Sequence, residues 1–289
     1  MCILFFCQSE ICQPDGYRLI LANNRDEAWC RPTKEADFWG QQEECISGLD
    51  QEPGRVGGTW LGMNRSGKIG ALLNILGCMD PSKIGRGHLV TDYISGESDI
   101  HEYAQKIFEN KDKYNGFSLV LFDLGKQEDS LTVKPVFVSN ACSYLSCVNM
   151  RSLPANTFVG VSNSPLEYPF QKALKGKDLF GQIVTQYPTI AGREHLIEKL
   201  MSLMADRTSL LPDPVLEKAG LSAGYNPSRV SQQSAINVWS PETKYGSRTT
   251  TLVLVDSQGS VDYIERTVDP IDSIKPQETV VRKIFKLTG

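Results

Sequence analysis

Residues 1–7 read MCILFFC, in which Cys2 begins an unbroken apolar run that ends at Gln8. This run is shorter than the roughly 7–15 apolar residues of a signal-peptide core and far shorter than the roughly 20 residues of a membrane-spanning helix. Its length suits a β-strand. We therefore predict that the chain begins with a strand of the core and that Cys2 stands at its start.

The composition is typical of a globular protein. The chain has 289 residues, 40% hydrophobic and 22% charged, which is enough to bury a sizeable core. The formal net charge is −4 and no block of Lys or Arg stands out, so we expect no nucleic-acid partner. We also expect no transmembrane segment and no myristoyl or prenyl anchor. One domain over residues 1–289 accounts for this length.

The cysteines favour reduced thiols over disulfides, because no secretion signal is recognisable. The eight are Cys2, Cys7, Cys12, Cys30, Cys45, Cys78, Cys142 and Cys147. The closest pairs are separated by four residues, which is weak support for zinc, so we predict no metal site.

Apolar patterns and turn signals predict an α+β fold. Strands are expected at Cys2–Phe6, Arg18–Asn23, Gly58–Met63, Lys68–Asn74, Phe117–Leu124, Val133–Val138, Thr157–Val161, Ser234–Trp239, Thr249–Val255, Ser260–Arg266 and Thr279–Leu287. Helices are expected at Arg86–Ser95, Asp99–Asn110, Phe170–Tyr187 and Arg193–Ala205, and residues 207–231 are expected to be loop-rich. Strands and helices occur in groups without βαβ alternation, which indicates antiparallel sheets covered by layers of helices.

Cys2 is a candidate nucleophile. Methionine aminopeptidases remove Met1 when the second side chain is small, and Cys2 would then carry both a thiol and a free α-amine. The reference pKa values of these groups, about 8.5 and 7.7–8.0, are close enough for the amine to act as the base. The alternative is a small apolar side chain filling a slot in a first strand, and Cys2 alone favours that alternative.

Other polar residues stand at the ends of apolar strands. Asp26 could hold an ammonium group on Cys2, and Arg25 could lower the pKa of its thiol. Asn74 and Asn163 could donate to an oxyanion, while Arg248 could bind a carboxylate. Each of these five residues, taken alone, is more simply explained as a strand terminator or a solvated charge. Only their occurrence together indicates a functional site.

That combination resembles the NRDE family, also called the transport and Golgi organization 2 family. The shared segments are MCILFF, LANNRDE, RPTKEADFW, GGTWLG, ALLN, GVSN and YGSRT, in the family's order from Met1 to about Arg266. The resemblance implies an intracellular protein of heme trafficking, Golgi organisation or mitochondrial lipid metabolism. We also predict ligand contacts at Asn24, Arg25, Trp60, Arg86 and His88.

A more distant resemblance is to the cysteine N-terminal nucleophile hydrolases of the penicillin V acylase and bile-salt hydrolase group. It implies a four-layer αββα sandwich of mostly antiparallel sheets. It also implies a site formed by Cys2, Asp26, Asn74, Asn163 and Arg248. This chain departs from that group's Arg-Asn-x-Asp motif, since Asn23 stands at the arginine position and Arg25 directly precedes Asp26. Proton handling and substrate polarity are therefore expected to differ.

Three functions follow from these resemblances. The first is heme binding or transfer, with heme as cargo and His88 beside Arg86 as the best candidate ligand and propionate partner. The second is a cysteine-dependent hydrolase or acyltransferase acting on an amide or thioester of a small hydrophobic or acyl ligand. The third is a factor of Golgi organisation. The expected location is the cytoplasm, with mitochondrial or Golgi association and transient contacts with organelle membranes or transporters.

Overall fold

The protein is described by a computed structural model that covers residues 1–10, 12–77, 79–127, 130–140, 149–269 and 276–288. Cys78, Cys142 and Cys147 lie outside the described residues. The strands there, in chain order, are β1 (Ile3–Gln8), β2 (Tyr17–Ala28), β3 (Thr33–Trp39), β4 (Cys45–Asp50), β5 (Leu61–Asn64), β6 (Lys68–Asn74), β7 (Phe117–Gln127), β8 (Ser130–Ser139), β9 (Asn149–Ser152), β10 (Phe158–Val161), β11 (Trp239–Ser240), β12 (Tyr245–Asp256), β13 (Ser260–Asp269) and β14 (Gln277–Lys286). The α-helices are α1 (His88–Ser95), α2 (Ile100–Glu109), α3 (Gln171–Gln186), α4 (Arg193–Met204), α5 (Pro214–Ser222) and α6 (Pro227–Gln233).

These strands form two antiparallel sheets. The first has the order β10-β1-β2-β12-β13-β14, with β11 paired to β12, and the second has the order β3-β4-β5-β6-β7-β8-β9. In the first sheet β1 lies between β10 and β2, while β2 also pairs with β12. The N-terminal strand is therefore central, and its start adjoins the end of β2.

Three apolar cores separate four layers, because side chains alternate across each strand. Leu4 and Phe6 of β1 point into the core between the sheets. Ile3 and Phe5 point the other way, into a core shared with α3 and α4. A third core packs α1 and α2 on the outer face of the second sheet. The order is helices, sheet, sheet, helices, which confirms the predicted αββα sandwich and explains why MCILFFC is apolar without alternation.

Residues 207–239 and the strands β3, β4 and β9 differ from the sequence prediction. Residues 207–231, expected to be loop-rich, contain α5 and α6, and residues expected to form the strand Ser234–Trp239 contribute only Trp239 to β11. Pro214 and Pro227 stand in the first helical turn, where a missing N–H costs nothing, and Asp213 and Asn226 cap the two helices. Strands β3 and β9 were not predicted, because they carry many polar or exposed residues. Strand β4 was not predicted, although its first four residues are buried, because Ser47 and Gly48 interrupt its apolar pattern.

Glu265 of β13 is a buried carboxyl group that links the two sheets. Its Oε1 accepts a hydrogen bond from the Ala36 amide of β3 at 2.7 Å, and its Oε2 accepts one from Thr251 Oγ1 at 3.4 Å. Burial is the main reason that the pKa of Glu265 is raised from its usual value near 4.5 to about 7. The folded state therefore holds a proton that the unfolded state releases between these two pH values.

We expect Glu265→Gln to remove a pH dependence of stability. Because the folded pKa is raised, the stabilising contribution is complete below pH 4.5 and declines as pH rises through about 7. The wild type should lose about 3 kcal/mol of unfolding free energy relative to Glu265→Gln between pH 4.5 and 8. Urea denaturation at several pH values measures this, with the exposed Glu278→Gln as control. Parallel pH profiles for wild type and Glu265→Gln would contradict the assignment.

Candidate functional site

Cys2 lies at the entrance of β1, and its side chain belongs to the core between the sheets. Its Sγ accepts a hydrogen bond from the Asp26 amide at 3.4 Å, which fixes the thiol against the end of β2. Burial, followed by the negative charge of Asp26, raises the pKa of the Cys2 thiol. With Met1 in place, the thiol is therefore protonated and a poor nucleophile at neutral pH.

The N-terminal ammonium of Met1 is buried beside the thiol. It forms an ion pair with Asp26 Oδ2 at 2.7 Å and donates to Tyr245 Oη at 3.0 Å and Gln233 Oε1 at 3.2 Å. The other oxygen of Asp26 accepts a hydrogen bond from the Ser247 hydroxyl. Burial lowers the pKa of the Met1 amine, against the opposing effect of Asp26. Asp26 thus binds the α-amine of Met1, one residue before Cys2, and the predicted tethered-base mechanism requires it to bind the Cys2 amine once Met1 is removed.

A cleft of about 280 Å³ opens at this point and is rich in arginine. Arg25 stacks over the Trp60 ring at 4.1 Å and donates to Thr33. The other arginines of the cleft are Arg31, Arg55 and Arg86, and its acidic residues are Asp26, Glu27 and Asp50. With Asp26 paired to the N-terminal ammonium, the four guanidinium groups face two further carboxylates, so the cleft carries net positive charge.

These arginines differ in their partners. Arg31 pairs with Asp50 at 2.6 Å and lies 3.6 Å from Glu27. Arg86 donates to the Gly116 carbonyl at 2.6 Å, and burial, reinforced by Arg55, lowers its pKa to about 10. No ion pair to an acidic group is recorded for Arg55 or Arg86 across the described ranges. Their positive charges are therefore available to a ligand in the cleft.

Comparison with known proteins identifies the family. The sequence matches the profile described as Transport and Golgi organisation 2 over residues 1–270. The chain belongs to the Transport and Golgi organisation 2 family. The homologue from Homo sapiens is 37% identical over 270 residues, covering 93% of each chain. The homologue from Mus musculus is 36% identical with the same coverage, and the Drosophila melanogaster protein is 35% identical over 279 residues, covering 94% of each chain.

Solved structures show more distant likenesses. The Caenorhabditis elegans ortholog of N-acylethanolamine-hydrolyzing acid amidase has a TM-score of 0.46 at 10% identity, covering 87% of this chain and 92% of its own. The C2A mutant of the conjugated bile acid hydrolase from Clostridium perfringens has a TM-score of 0.42 at 10% identity, covering 99% and 97%.

Most of the residues predicted to form the site line the arginine-rich cleft. The cleft wall includes seven of the ten, namely Cys2, Arg25, Asp26, Trp60, Asn74, Arg86 and His88. They come from the residue before β1, from β2 and β6, from the segment before β5, and from the start of α1 and the segment that leads into it. The sequence separations within this set reach 86 residues, so the sheets are what bring the set together.

Three predicted site residues, Asn24, Asn163 and Arg248, lie outside the cleft wall. Asn24 faces the opposite side of β2, where its amide donates to the carbonyls of Met204 and Ile236. Asn163 donates to the main-chain carbonyl of Asn74, so it supports Asn74 and does not face the cleft itself.

Arg248 clamps the main chain after β2. It lies at a bulge in β12 and donates to the carbonyls of Ala28 and Arg31. Its observed contacts thus position the β2–β3 connection, including Arg31 of the cleft.

Several residues of the cleft and of the Met1 surroundings were not predicted from the sequence. Arg31 and Arg55 lie in segments that read as ordinary loops, and Lys172 reads as a surface residue of a helix. Tyr245 and Gln233 reach the N-terminal amine from the far end of the chain, more than 230 residues away. Two of these residues lie in segments that resemble the family, Arg31 in RPTKEADFW and Tyr245 in YGSRT.

Over the ranges that the structure describes, no group of three or more His, Cys, Asp or Glu side chains is arranged to hold a metal ion. Within those same ranges, no helix is both long and apolar enough to cross a membrane.

Proposed function

We propose that the protein is a cysteine-dependent hydrolase or acyltransferase that cleaves an amide C–N or thioester bond. The observation that carries this proposal is the meeting of the Cys2 thiol, the Asp26 carboxylate and the N-terminal amine at one end of a ligand-sized cleft. The active form is the chain from which Met1 has been removed, because only then does the free amine belong to the nucleophilic residue.

The chemistry proceeds through a thioester. The Cys2 α-amine accepts the thiol proton while Sγ attacks the substrate carbonyl carbon, and Asp26 holds the resulting ammonium. Asn74, at the end of β6 in the cleft wall, stabilises the tetrahedral oxyanion. The intermediate collapses to an acyl-thioester as the ammonium returns its proton to the leaving amine or thiol. Water or an acceptor amine then attacks the thioester and regenerates Cys2.

The cleft charge selects an anionic substrate. Arg55 and Arg86 face the cleft without the carboxylate partners that neutralise Arg31. A carboxylate or phosphate on the substrate would meet them and form charge-assisted hydrogen bonds. The acyl carbon would then be presented to Cys2 at the other end of the cleft.

Arg55→Gln is expected to weaken binding of anionic substrates without harming the fold, since Arg55 is exposed. We expect KM to rise about tenfold for an anionic acyl amide or thioester, which corresponds to about 1.4 kcal/mol, and to stay unchanged for a neutral analogue. Arg151→Gln, which removes a guanidinium outside the cleft, is the matched control. An equal rise in KM for the anionic and the neutral substrate would show that Arg55 does not select substrates by charge. If no substrate of either class is turned over by the Met1-free protein, the proposed activity is wrong.

A second candidate is heme binding, favoured by the presence of Cys2, Met79, His88 and Arg86 in one cleft. Thiolate, thioether and imidazole groups are the usual axial ligands of heme iron, and arginine pairs with propionates. This candidate predicts a saturable one-to-one Soret change on titration with hemin, altered in His88→Ala and in Cys2→Ala. A non-saturable or unchanged spectrum would exclude it. Heme as cargo, the role in Golgi organisation and the cytoplasmic, mitochondrial or Golgi location stay predictions.

A further inference from the structure

The side chain, the carbonyl and the ammonium group of Met1 each have their own contacts, as the groups of a bound ligand would. Its side chain is 4% exposed and packs into an apolar socket. The socket is walled by Phe170, Leu216, Ala219 and Val230, with Leu76, Val215 and Tyr225 half-buried around it. Because α5 and α6 supply most of this wall, the socket lies on the helix side of the first sheet, while the cleft lies between the sheets.

The carbonyl oxygen of Met1 accepts a hydrogen bond from a buried lysine. Lys172 of α3 is fully buried, and its Nζ donates to the Met1 carbonyl at 3.1 Å and to the Ala235 carbonyl at 3.2 Å. Gln233 accepts from the Met1 amine through Oε1, while its buried Nε2 finds no hydrogen-bond partner in the described part of the chain. A buried ammonium therefore lies beside the Met1 carbonyl oxygen, and a free amide donor belongs to the side chain that receives the Met1 amine.

We propose that removal of Met1 turns this socket into a binding site for a free α-amino acid with an apolar side chain of methionine or leucine size. The ligand ammonium would take the place of the Met1 ammonium at Asp26, Tyr245 and Gln233. The ligand carboxylate would lie where the Met1 carbonyl was, facing Lys172. Like the proposed function, this proposal requires a chain without Met1, but it requires no turnover at Cys2.

Charge and volume both favour such a ligand. Without Met1, the new ammonium of Cys2 and the ammonium of Lys172 lie near the carboxylate of Asp26, and Asp213 adds a second negative charge that acts on Lys172. A zwitterion places a carboxylate beside the two cations and an ammonium beside Asp26 without changing the net charge of the site. The apolar volume that the Met1 side chain leaves also favours a ligand side chain close to methionine in size.

Calorimetry on a Cys2→Ser chain that begins at residue 2 tests the site apart from catalysis. This chain is released from a fusion by a protease that cleaves directly before residue 2, so its start does not depend on natural Met1 removal. We expect saturable one-to-one binding of L-methionine and L-leucine with a rise in Tm, and at least tenfold weaker binding of glycine. The same chain with Met1 retained is the control and should bind none of them.

Three outcomes would overturn the site. These are no saturable binding to the chain that begins at residue 2, equal binding to the Met1-containing chain, and equal affinity for glycine and L-methionine. Since the Cys2→Ser chain has no thiol at this position, none of these outcomes depends on whether Cys2 catalyses a reaction. Conversely, loss of turnover in the wild type would leave the binding result intact.

Discussion

Asp26→Asn is expected to lower the unfolding free energy of the Met1-containing protein by about 3–5 kcal/mol, because it leaves a buried ammonium without a counter-charge. Asn matches Asp in size and keeps an oxygen for the Ser247 hydroxyl, so packing changes little. The Met1 amine is 2.7 Å from Asp26 and is held otherwise by the neutral groups of Tyr245 and Gln233. Urea denaturation at neutral pH measures the difference.

Asp50→Asn is the matched control for this substitution. Asp50 also pairs with a cation at short distance, Arg31 at 2.6 Å, but both partners retain solvent contact. Its loss should cost about 1 kcal/mol or less. If Asp26→Asn costs no more than Asp50→Asn, the buried amine–carboxylate pair is not the anchor that we describe. In the Met1-free chain, Asp26→Asn should also lower kcat about 100-fold or more, because the base loses the group that holds it.

Cys2→Ser is expected to reduce turnover by about 1000-fold or more, since the hydroxyl has a much higher pKa than a thiol and its tethered amine is too weak to activate it. Cys30→Ser, which removes an exposed thiol, is the control and should leave turnover unchanged. Retention of Met1 should suppress turnover as strongly as Cys2→Ser does. The reason is that the free α-amine of that chain belongs to Met1, so Cys2 lacks the tethered base that would accept its thiol proton. Turnover by a Met1-retaining chain would refute this interpretation.

The sequence predicted the layers better than the boundaries of the weaker elements. MCILFFC and the amphipathic helices α2 and α4 are governed by burial, and burial patterns are visible in one sequence. Strand β3 has a single buried side chain, Ala36, and its pairing with β4 is decided by contacts that no local pattern reveals. Pro214 and Pro227 indicate a loop when only the local sequence is considered, although proline in a first helical turn is equally compatible with a helix.

The site was predictable where residues stand at strand ends. Cys2, Asp26 and Asn74 follow this rule, and β1, β2 and β6 bring them to one cleft. Strand ends alone do not say which way a side chain points, so Asn24 and Asn163 proved to hold main-chain carbonyls instead. Arg55 and Lys172 could not be predicted, because a loop arginine and a helical lysine have the same local sequence whether exposed or facing a site.

The central claim is that Cys2 is an N-terminal nucleophile, and intact-protein mass spectrometry tests it most directly. The purified protein is weighed before and after brief incubation with an anionic acyl thioester, and the adduct is located by peptide mapping. We predict a chain lacking Met1 that gains one acyl group on Cys2, with no adduct in Cys2→Ser and an undiminished adduct in Cys30→Ser. A chain that retains Met1 and still turns over substrate, or an acyl group mapped to another residue, would contradict the account.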